Sequence, residues 1–266
     1  MWHRVVDCLG VSVRVATNAV EVVPPLVGVL RSYADAPGVP DIRYFLDAGP
    51  PPRVWLEDDV MIRVELPIDL IPAFERTLVA RVLLYTTDVA LHAGAVVTYD
   101  GRALIVAGES GAGKSTLVRS LLATGLHYLS EECVVVCSGG TCRGLARALH
   151  VADPAIAMSP DFVIDEYPLR PHPPGAFRLF HPPQAQIWRG DASTAAIVSI
   201  THAPDASDTL DTLSGGEALA ALWPAVFRRT HRDLPKLGLA LADVPLYRLH
   251  TRTPQRAFDL VRTLIA

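Results

Sequence analysis

Residues 108 to 116 are Gly108-Glu109-Ser110-Gly111-Ala112-Gly113-Lys114-Ser115-Thr116, and they match the pattern G-x-x-x-x-G-K-[ST]. The residues before them, Ala103 to Ala107, are all apolar, which is typical of a strand buried on both faces. From Lys114 to about Ala123 the sequence predicts an amphipathic helix. A strand, a glycine-rich turn and a helix in this order form phosphate-binding loops, so we predict an α/β protein.

Each residue type in this pattern has a chemical reason to bind phosphate. Glycines let backbone N–H groups curve around a β-phosphate, and the N-terminus of the following helix adds partial positive charge. Lys114 can reach the β- and γ-oxygens, and the hydroxyl of Ser115 can ligate Mg²⁺. We therefore predict that residues 108–116 bind ATP and Mg²⁺.

A loop that uses Mg²⁺ also needs an acidic residue near the metal, and the sequence offers two candidates. The nearer is the pair Glu131-Glu132, after a predicted strand at 127–129 that would end beside the phosphates in a parallel sheet. The farther is Leu239-Ala240-Leu241-Ala242-Asp243, an apolar run closed by an aspartate that resembles a Walker B strand.

The segment Leu213-Ser214-Gly215-Gly216-Glu217 matches the signature of ATP-binding-cassette ATPases. Two observations speak against that class: no glutamate follows Asp243 to polarise water, and Ser214 with Glu217 predicts a capping box. The helix after the box would carry its apolar residues on one face, with Pro224 as a kink or a start.

Outside this region the chain divides into a predicted N-terminal α+β module, residues 1–88, and a catalytic domain, residues 89–266. The module alternates apolar and polar residues up to about residue 66, with helices predicted at 26–33 and 68–88. Residues 153–192 are rich in proline, which leaves two alternatives: a lid over a substrate or an ordered irregular loop.

Composition excludes several classes of protein. The net charge is −4, from 24 basic and 28 acidic residues, so neither nucleic acid nor a membrane surface is the expected partner. Cys133, Cys137 and Cys142 lie close together, but they lack the second pair or the histidines of a zinc site. Reduced thiols and the lack of an apolar signal segment at 1–7 predict a cytoplasmic protein.

Three segments together resemble the C-terminal catalytic domain of HPr kinase/phosphorylase and its kinase relatives. They are Leu91-His92-Ala93-Gly94-Ala95-Val96, the loop with its preceding strand, and Tyr128-Leu129-Ser130-Glu131-Glu132. The segment Val244-Pro245-Leu246-Tyr247-Arg248-Leu249, followed by a helix opening at Thr253-Pro254, is also similar to those relatives. The resemblance covers about residues 89–266 and implies a P-loop kinase domain of the type shared with phosphoenolpyruvate carboxykinase.

The resemblance also implies roles for individual residues. Glu131 would be the general base, Glu132 a metal ligand with Ser115, and His92 would lie near the transferred phosphate. Arg143 and Arg147 could clamp phosphate, while the basic residues Arg228, Arg229 and Arg232 could bind an acidic acceptor or compensate a helix dipole.

The chain departs from the family in two ways. Glu-Glu replaces Asp-Asp, and the glycine-rich signature of true HPr kinases is reduced to Thr141-Cys142-Arg143-Gly144-Leu145, so HPr is not carried over as the substrate. The predicted function is an ATP-dependent kinase for a serine or other hydroxyl, with a lasso-type peptide precursor as an acceptor implied by some relatives. Two alternative functions are a small-molecule kinase and a non-catalytic nucleotide-binding module. The sequence also leaves a homo-oligomer possible.

Overall fold

The computed structural model describes residues 1–151, 163–166, 178–202 and 207–265, and it is a mixed α/β structure. The chain forms two compact units. The first contains residues 1–86 and, of the later described residues, 147–151, 163–166 and 178–182. The second contains 87–146, 183–202 and 207–265. The second unit thus begins near the predicted boundary at residue 89. Residues 147–151, 163–166 and 178–182, which the sequence predicts to be in the catalytic domain, belong to the first unit.

The first unit contains one six-stranded sheet in the order β3-β1-β2-β4-β5-β6, antiparallel except for the parallel pair β2 and β4. Its strands are β1 (Trp2–Cys8), β2 (Val11–Thr17), β3 (Ala34–Asp35), β4 (Ile42–Asp47), β5 (Arg53–Leu56) and β6 (Asp59–Arg63).

Two helices accompany this sheet, α1 (Val23–Val29) and α2 (Leu70–Val82). Helix α1 begins earlier than predicted because Pro24 and Pro25 occupy its first turn, where a missing N–H costs nothing. Helix α2 is shorter than the predicted span of 68–88. Its end tightens into i→i−3 hydrogen bonds at Leu84 and Tyr85, both of which are exposed.

The second unit begins with β7 (Val89–Val97), β8 (Arg102–Ala107), α3 (Lys114–Leu122), β9 (His127–Ser130), β10 (Cys133–Val136) and β11 (Thr141–Gly144). These bounds confirm the strand, loop and helix predicted around residues 103–123. Both β8 and β9 pair antiparallel with β7, so they run in the same direction. The chain therefore leaves β8 and β9 at the same edge of the sheet.

The chain then returns to the first unit for a three-stranded antiparallel sheet in the order β12-β14-β13. The strands are β12 (Leu149–Val151), β13 (Val163–Glu166) and β14 (Arg178–His181). Much of the proline-rich segment 153–192 lies outside the described residues. The two alternatives for it, a lid and an irregular loop, concern those residues.

The second unit is completed by β15 (Ala192–His202), β16 (Thr209–Leu213), α4 (Gly215–Leu222), α5 (Asp233–Ala240), β17 (Leu246–Thr251) and α6 (Pro254–Val261). The main sheet has the order β11-β10-β7-β8-β15-β17-β16, with β8, β15 and β17 parallel. Ligands bind at the carboxyl ends of such parallel strands.

Helices cover both faces of this sheet. On β7, Leu91, Ala93 and Ala95 pack in one apolar core with residues of α4 and α5. Gly94 faces the other way, where a Cβ atom would lie 2.6 Å from Val118 Cγ2 of α3. The close approach of α3 therefore depends on a glycine at this position. Within the described residues no helix is both long and apolar enough to cross a membrane.

Three expectations in this region differ from the structure: the strand alternative at 239–243, the capping box at Ser214 and the place of Pro224. Residues 239–243 do not form a Walker B strand, because Leu237 and Ala240 are buried at helical spacing and the run ends helix α5, with Asp243 exposed. Ser214 is the N-cap of α4, but its side chain makes no capping hydrogen bond. Pro224 neither kinks nor starts α4, since it lies in the 3-10 turn that follows the helix.

Candidate nucleotide-binding site

The glycine-rich loop connects the carboxyl end of β8 to the first turn of α3. Gly111 and Gly113 have φ values of +82° and +97°, which side-chain-bearing residues rarely adopt. At Gly108 a Cβ atom would lie 2.7 Å from the carbonyl oxygen of Ile200 on β15. The glycines thus allow both the tight curvature of the loop and its close approach to the neighbouring strand.

Lys114 folds back across the loop that carries it. Its Nζ atom donates hydrogen bonds of 2.9 Å to the carbonyl oxygens of Gly108 and Glu109, and the residue is only 6% exposed. Burial lowers the pKa of Lys114, while the charge of Glu131 acts to raise it. The ammonium group is therefore held at the Gly108 end of the loop by neutral carbonyls, from which an anion could draw it away.

The hydroxyl of Ser115 lies against a carboxylate. Ser115 Oγ donates a 2.7 Å hydrogen bond to Glu131 Oε1, and Glu131 is 9% exposed. The sequence predicted that the acid pair would come to the loop, and for Glu131 the structure shows this contact directly. An oxygen pair of this kind, a hydroxyl and a carboxylate, is the donor set that Mg²⁺ takes from proteins.

Ser130, which the sequence analysis missed, shapes the turn that carries Glu131. Its fully buried hydroxyl donates to the carbonyl oxygens of Cys133 (2.8 Å) and Leu145 (2.9 Å) and accepts a bond from Cys133 N (3.2 Å). The only sequence signal was a small polar residue at the end of an apolar strand. The turn is thereby fixed between β9 and β10.

His92 lies beside this turn because β10 pairs with β7. Cys133 is the register partner of His92, and Ala93 N donates to Glu132 O at 3.0 Å. The imidazole packs edge-on against Phe227, with ring centroids 5.6 Å apart. Burial and then the charge of Lys114 lower the pKa of His92, while a hydrogen bond with the Gly108 backbone raises it. His92 therefore lies close to the loop, in an environment that lowers its pKa and favours the neutral imidazole.

The structure does not bring the predicted arginine clamp to the loop. Arg143 pairs with Asp191 through bonds of 2.5 and 3.0 Å, and Arg147 pairs with Glu75 at 2.9 Å. Each guanidinium therefore has a carboxylate partner elsewhere, which corrects the prediction that these residues hold phosphate. Arg229 donates to backbone carbonyls after the end of α4, at Val226 and Pro224, as the dipole alternative predicts.

Two pockets flank the loop. The first, about 370 Å³, is lined by residues 108–112, by 199–201 at the end of β15, by Ala221 of α4 and by Pro224 and Ala225 of the turn that follows α4. The second, about 200 Å³, is lined by residues 111–113, 116, 117 and 200 and by residues 251–254 and 257 at the start of α6. Thr253 caps α6 as predicted, since its side chain accepts from Arg256 N. The two pockets share part of the loop and lie at its opposite ends.

Among the described residues no three His, Cys, Asp or Glu side chains gather in the manner of a metal centre. Mg²⁺ does not require such a cage, because it binds through one or two protein ligands, substrate phosphates and water. All four cysteines are free thiols. Ser115 and Glu131 are the residues here that fit a magnesium ion.

No protein-family model matches the chain, and no curated protein sequence matches it.

Proposed function

We propose that the second unit is a P-loop phosphotransferase that moves the γ-phosphate of ATP to a hydroxyl acceptor. The observation that carries this proposal is the contact of 2.7 Å between Ser115 Oγ and Glu131 Oε1, one residue from a lysine folded over the loop. Phosphoryl transfer needs positioning and charge neutralisation more than covalent chemistry, and these three side chains supply them. The resemblance to the HPr kinase catalytic domain supports the same activity for residues 89–266.

The reaction joins the acceptor oxygen to the γ-phosphorus and breaks the bond from that phosphorus to the β–γ bridging oxygen. The electron pair of the broken bond stays on ADP, and the acceptor proton leaves to a carboxylate. The products are a phosphate monoester, ADP and a proton. Lys114 and the N-terminus of α3 carry the positive charge that offsets the charge on the phosphates.

The geometry supports roles for the acid pair that are the reverse of those implied by the resemblance. Glu131 contacts Ser115, so these two residues would hold Mg²⁺, which supplies charge neutralisation at the β- and γ-phosphates. Glu132 then serves as the general base. His92, whose pKa is lowered by burial and by the charge of Lys114, would donate or accept a hydrogen bond at the transferred phosphate.

A kinase fits the site better than a cassette ATPase. The cassette assignment required a Walker B strand at 239–243. Residues 239 and 240 instead end helix α5, and residues 241–243 form the turn after it. The carboxylate at Ser115 comes from Glu131, which follows β9 directly. A serine on a lasso-type peptide precursor is the acceptor we propose to test first, on the strength of the resemblance.

The experiment is a measurement of ADP release from Mg-ATP with and without candidate peptides, followed by mass spectrometry of each peptide. The proposal expects acceptor-dependent ADP release and a gain of one phosphoryl group on a hydroxyl. Tight binding of Mg-ATP without any acceptor-dependent release would instead favour a nucleotide-sensing module.

A further inference from the structure

The 370 Å³ pocket at the Gly108 end of the loop is lined by hydroxyl groups and small apolar side chains. Ser199 and Thr201 bring hydroxyl groups from the end of β15, and Ala221 and Ala225 bring small apolar side chains from the end of α4. Ser199 Oγ lies 3.4 Å from the carbonyl oxygen of Ala221, so the strand and the helix meet at the base of this pocket.

The position of Lys114 indicates at which end of the loop the γ-phosphate would bind. Its Nζ atom is held by the carbonyl oxygens of Gly108 and Glu109, two residues that line the larger pocket and not the smaller one. A lysine in such a loop reaches the β- and γ-phosphates, so the γ-phosphate lies at the end of the loop with the larger pocket. The smaller pocket, at Thr116 and the start of α6, is left for the nucleoside.

The lining also restricts the charge of what can enter. Among the described residues that line the larger pocket, Glu109 is the one with a charged side chain. Arg229, in the segment that follows α4, donates to backbone carbonyls at Val226 and Pro224 and is not part of the lining. An acidic acceptor in the pocket would meet the negative charge of Glu109, with the charge of Lys114 already offset by the γ-phosphate. An uncharged hydroxyl compound would meet hydroxyl groups and small side chains.

We propose that this larger pocket is the acceptor site, and that it accepts an uncharged alcohol, either a small molecule or a serine or threonine side chain. The proposal rests on the proposed phosphotransferase function and adds the place and the charge of the acceptor. The acceptor hydroxyl enters beside Ser199 and Thr201, its oxygen bonds to the γ-phosphorus, and the bridging oxygen leaves with ADP. The proton leaves to a carboxylate, for which Glu132 is the candidate in the proposed function.

The test uses three γ-esters of ATP, in which the γ-phosphate carries a methyl, a hydroxypropyl or a carboxyethyl group. The two longer groups have the same chain length and differ in charge. Binding of each ester with Mg²⁺ is measured by calorimetry and expressed as a ratio of Kd to that of the methyl ester. We expect a ratio near one or lower for hydroxypropyl and about fivefold higher for carboxyethyl, the size expected for two like charges in a solvent-exposed pocket.

Two substitutions locate the effect. Glu109→Gln should remove the difference between the hydroxypropyl and carboxyethyl esters. Ala221→Leu, which fills the pocket from α4, should raise the hydroxypropyl ratio about tenfold, the factor that corresponds to 1.4 kcal/mol. Ala220→Leu is the matched control on the same helix, because Ala220 is exposed and outside the lining, and its ratio should equal that of the wild type. Thr201→Phe fills the pocket from β15 and replaces Ala221→Leu if that variant does not fold.

The outcomes separate the two proposals. If ATP and all three esters fail to bind the wild type, this result contradicts the proposed function and also the proposed acceptor site. If ATP binds but the pocket-filling variants leave the hydroxypropyl ratio unchanged, the acceptor lies elsewhere and the proposed function stands. Tighter binding of the carboxyethyl ester would overturn the uncharged acceptor.

Discussion

Ser115 Oγ and Glu131 Oε1 lie 2.7 Å apart, although the two residues are sixteen positions apart in the chain. The hydroxyl belongs to the first turn of α3, and the carboxylate belongs to the turn between β9 and β10. They meet because both β8 and β9 pair antiparallel with β7 and end at the same edge of the sheet. This contact connects the glycine-rich loop to the acid pair through Glu131.

The first prediction separates the two glutamates. Glu131→Gln should raise the Mg²⁺ concentration required for ADP release by roughly tenfold or more, as expected when a metal ligand is weakened. Glu132→Gln should lower kcat by about 10²-fold at saturating Mg²⁺, as expected when a general base is lost. Magnesium titrations of ADP release from the two variants measure both effects. The opposite pattern would restore the roles implied by the resemblance.

The second prediction concerns the contact of α3 with the sheet. Gly94→Ala should destabilise the second unit by roughly 1–3 kcal/mol, because its Cβ would lie 2.6 Å from Val118 Cγ2. Chemical unfolding of the single variant and of the double variant Gly94→Ala, Val118→Ala measures the effect. The double variant should lose less stability than the sum of the two single variants. Strict additivity would show that the two side chains do not meet.

The third prediction is a pH dependence of stability. The pKa of His92 in the folded protein is lower than its ordinary value of 6.5 because of burial and the nearby Lys114. The unfolded chain therefore binds the proton at higher pH, so the stability this residue contributes is present above pH 6.5 and falls as the pH decreases below it.

His92→Gln should accordingly make the free energy of unfolding less dependent on pH below 6.5 than it is in the wild type. Urea unfolding at a series of pH values tests this. If the two proteins lose stability equally over that range, the pKa of His92 is not lowered by burial and by the charge of Lys114.

The fourth prediction tests the cassette alternative through Ser214. Because its side chain makes no capping bond, Ser214→Ala should cost only about 0.5 kcal/mol or less, below the usual loss for a capping serine. Ser214 is also absent from the lining of both pockets at the loop, so activity should persist. Loss of ADP release in a stable Ser214→Ala protein would support the cassette class.

Local patterns predicted the parts of the site that depend on neighbours in sequence. The strand, the glycine loop and helix α3 follow one another, so their order and type could be inferred from residues 103–123 alone. For the run at 239–242 the sequence left a strand and another core element open, because a short apolar segment has no periodicity that separates helix from strand. In the structure it ends helix α5.

Contacts between distant residues could not be predicted in the same way. Arg143 and Arg147 looked available for phosphate because their partners, Asp191 and Glu75, lie 48 and 72 residues away. The turn that carries Glu131 is fixed by Ser130, whose hydroxyl donates to the carbonyl oxygen of Leu145. No pattern around residue 131 contains that information.

The central claim is that residues 108–116 bind ATP with Lys114 at its phosphates, and the composition of the chain allows a direct test. The sequence contains only two lysines, Lys114 and Lys236. Lys114 is buried in the loop, whereas Lys236 is exposed and donates to the carbonyl oxygen of Thr87. An acyl-phosphate derivative of ATP transfers its acyl group to a lysine next to the bound phosphates, and peptide mass spectrometry identifies the modified residue.

The account predicts that the derivative labels Lys114 in the folded protein, that Mg-ATP suppresses this labelling, and that Lys114→Ala abolishes it while circular dichroism is unchanged. Lys236→Ala is the matched control and should label as the wild type does. Labelling of Lys236 alone, or labelling of Lys114 that Mg-ATP does not suppress, would contradict the assignment of this loop as the nucleotide site.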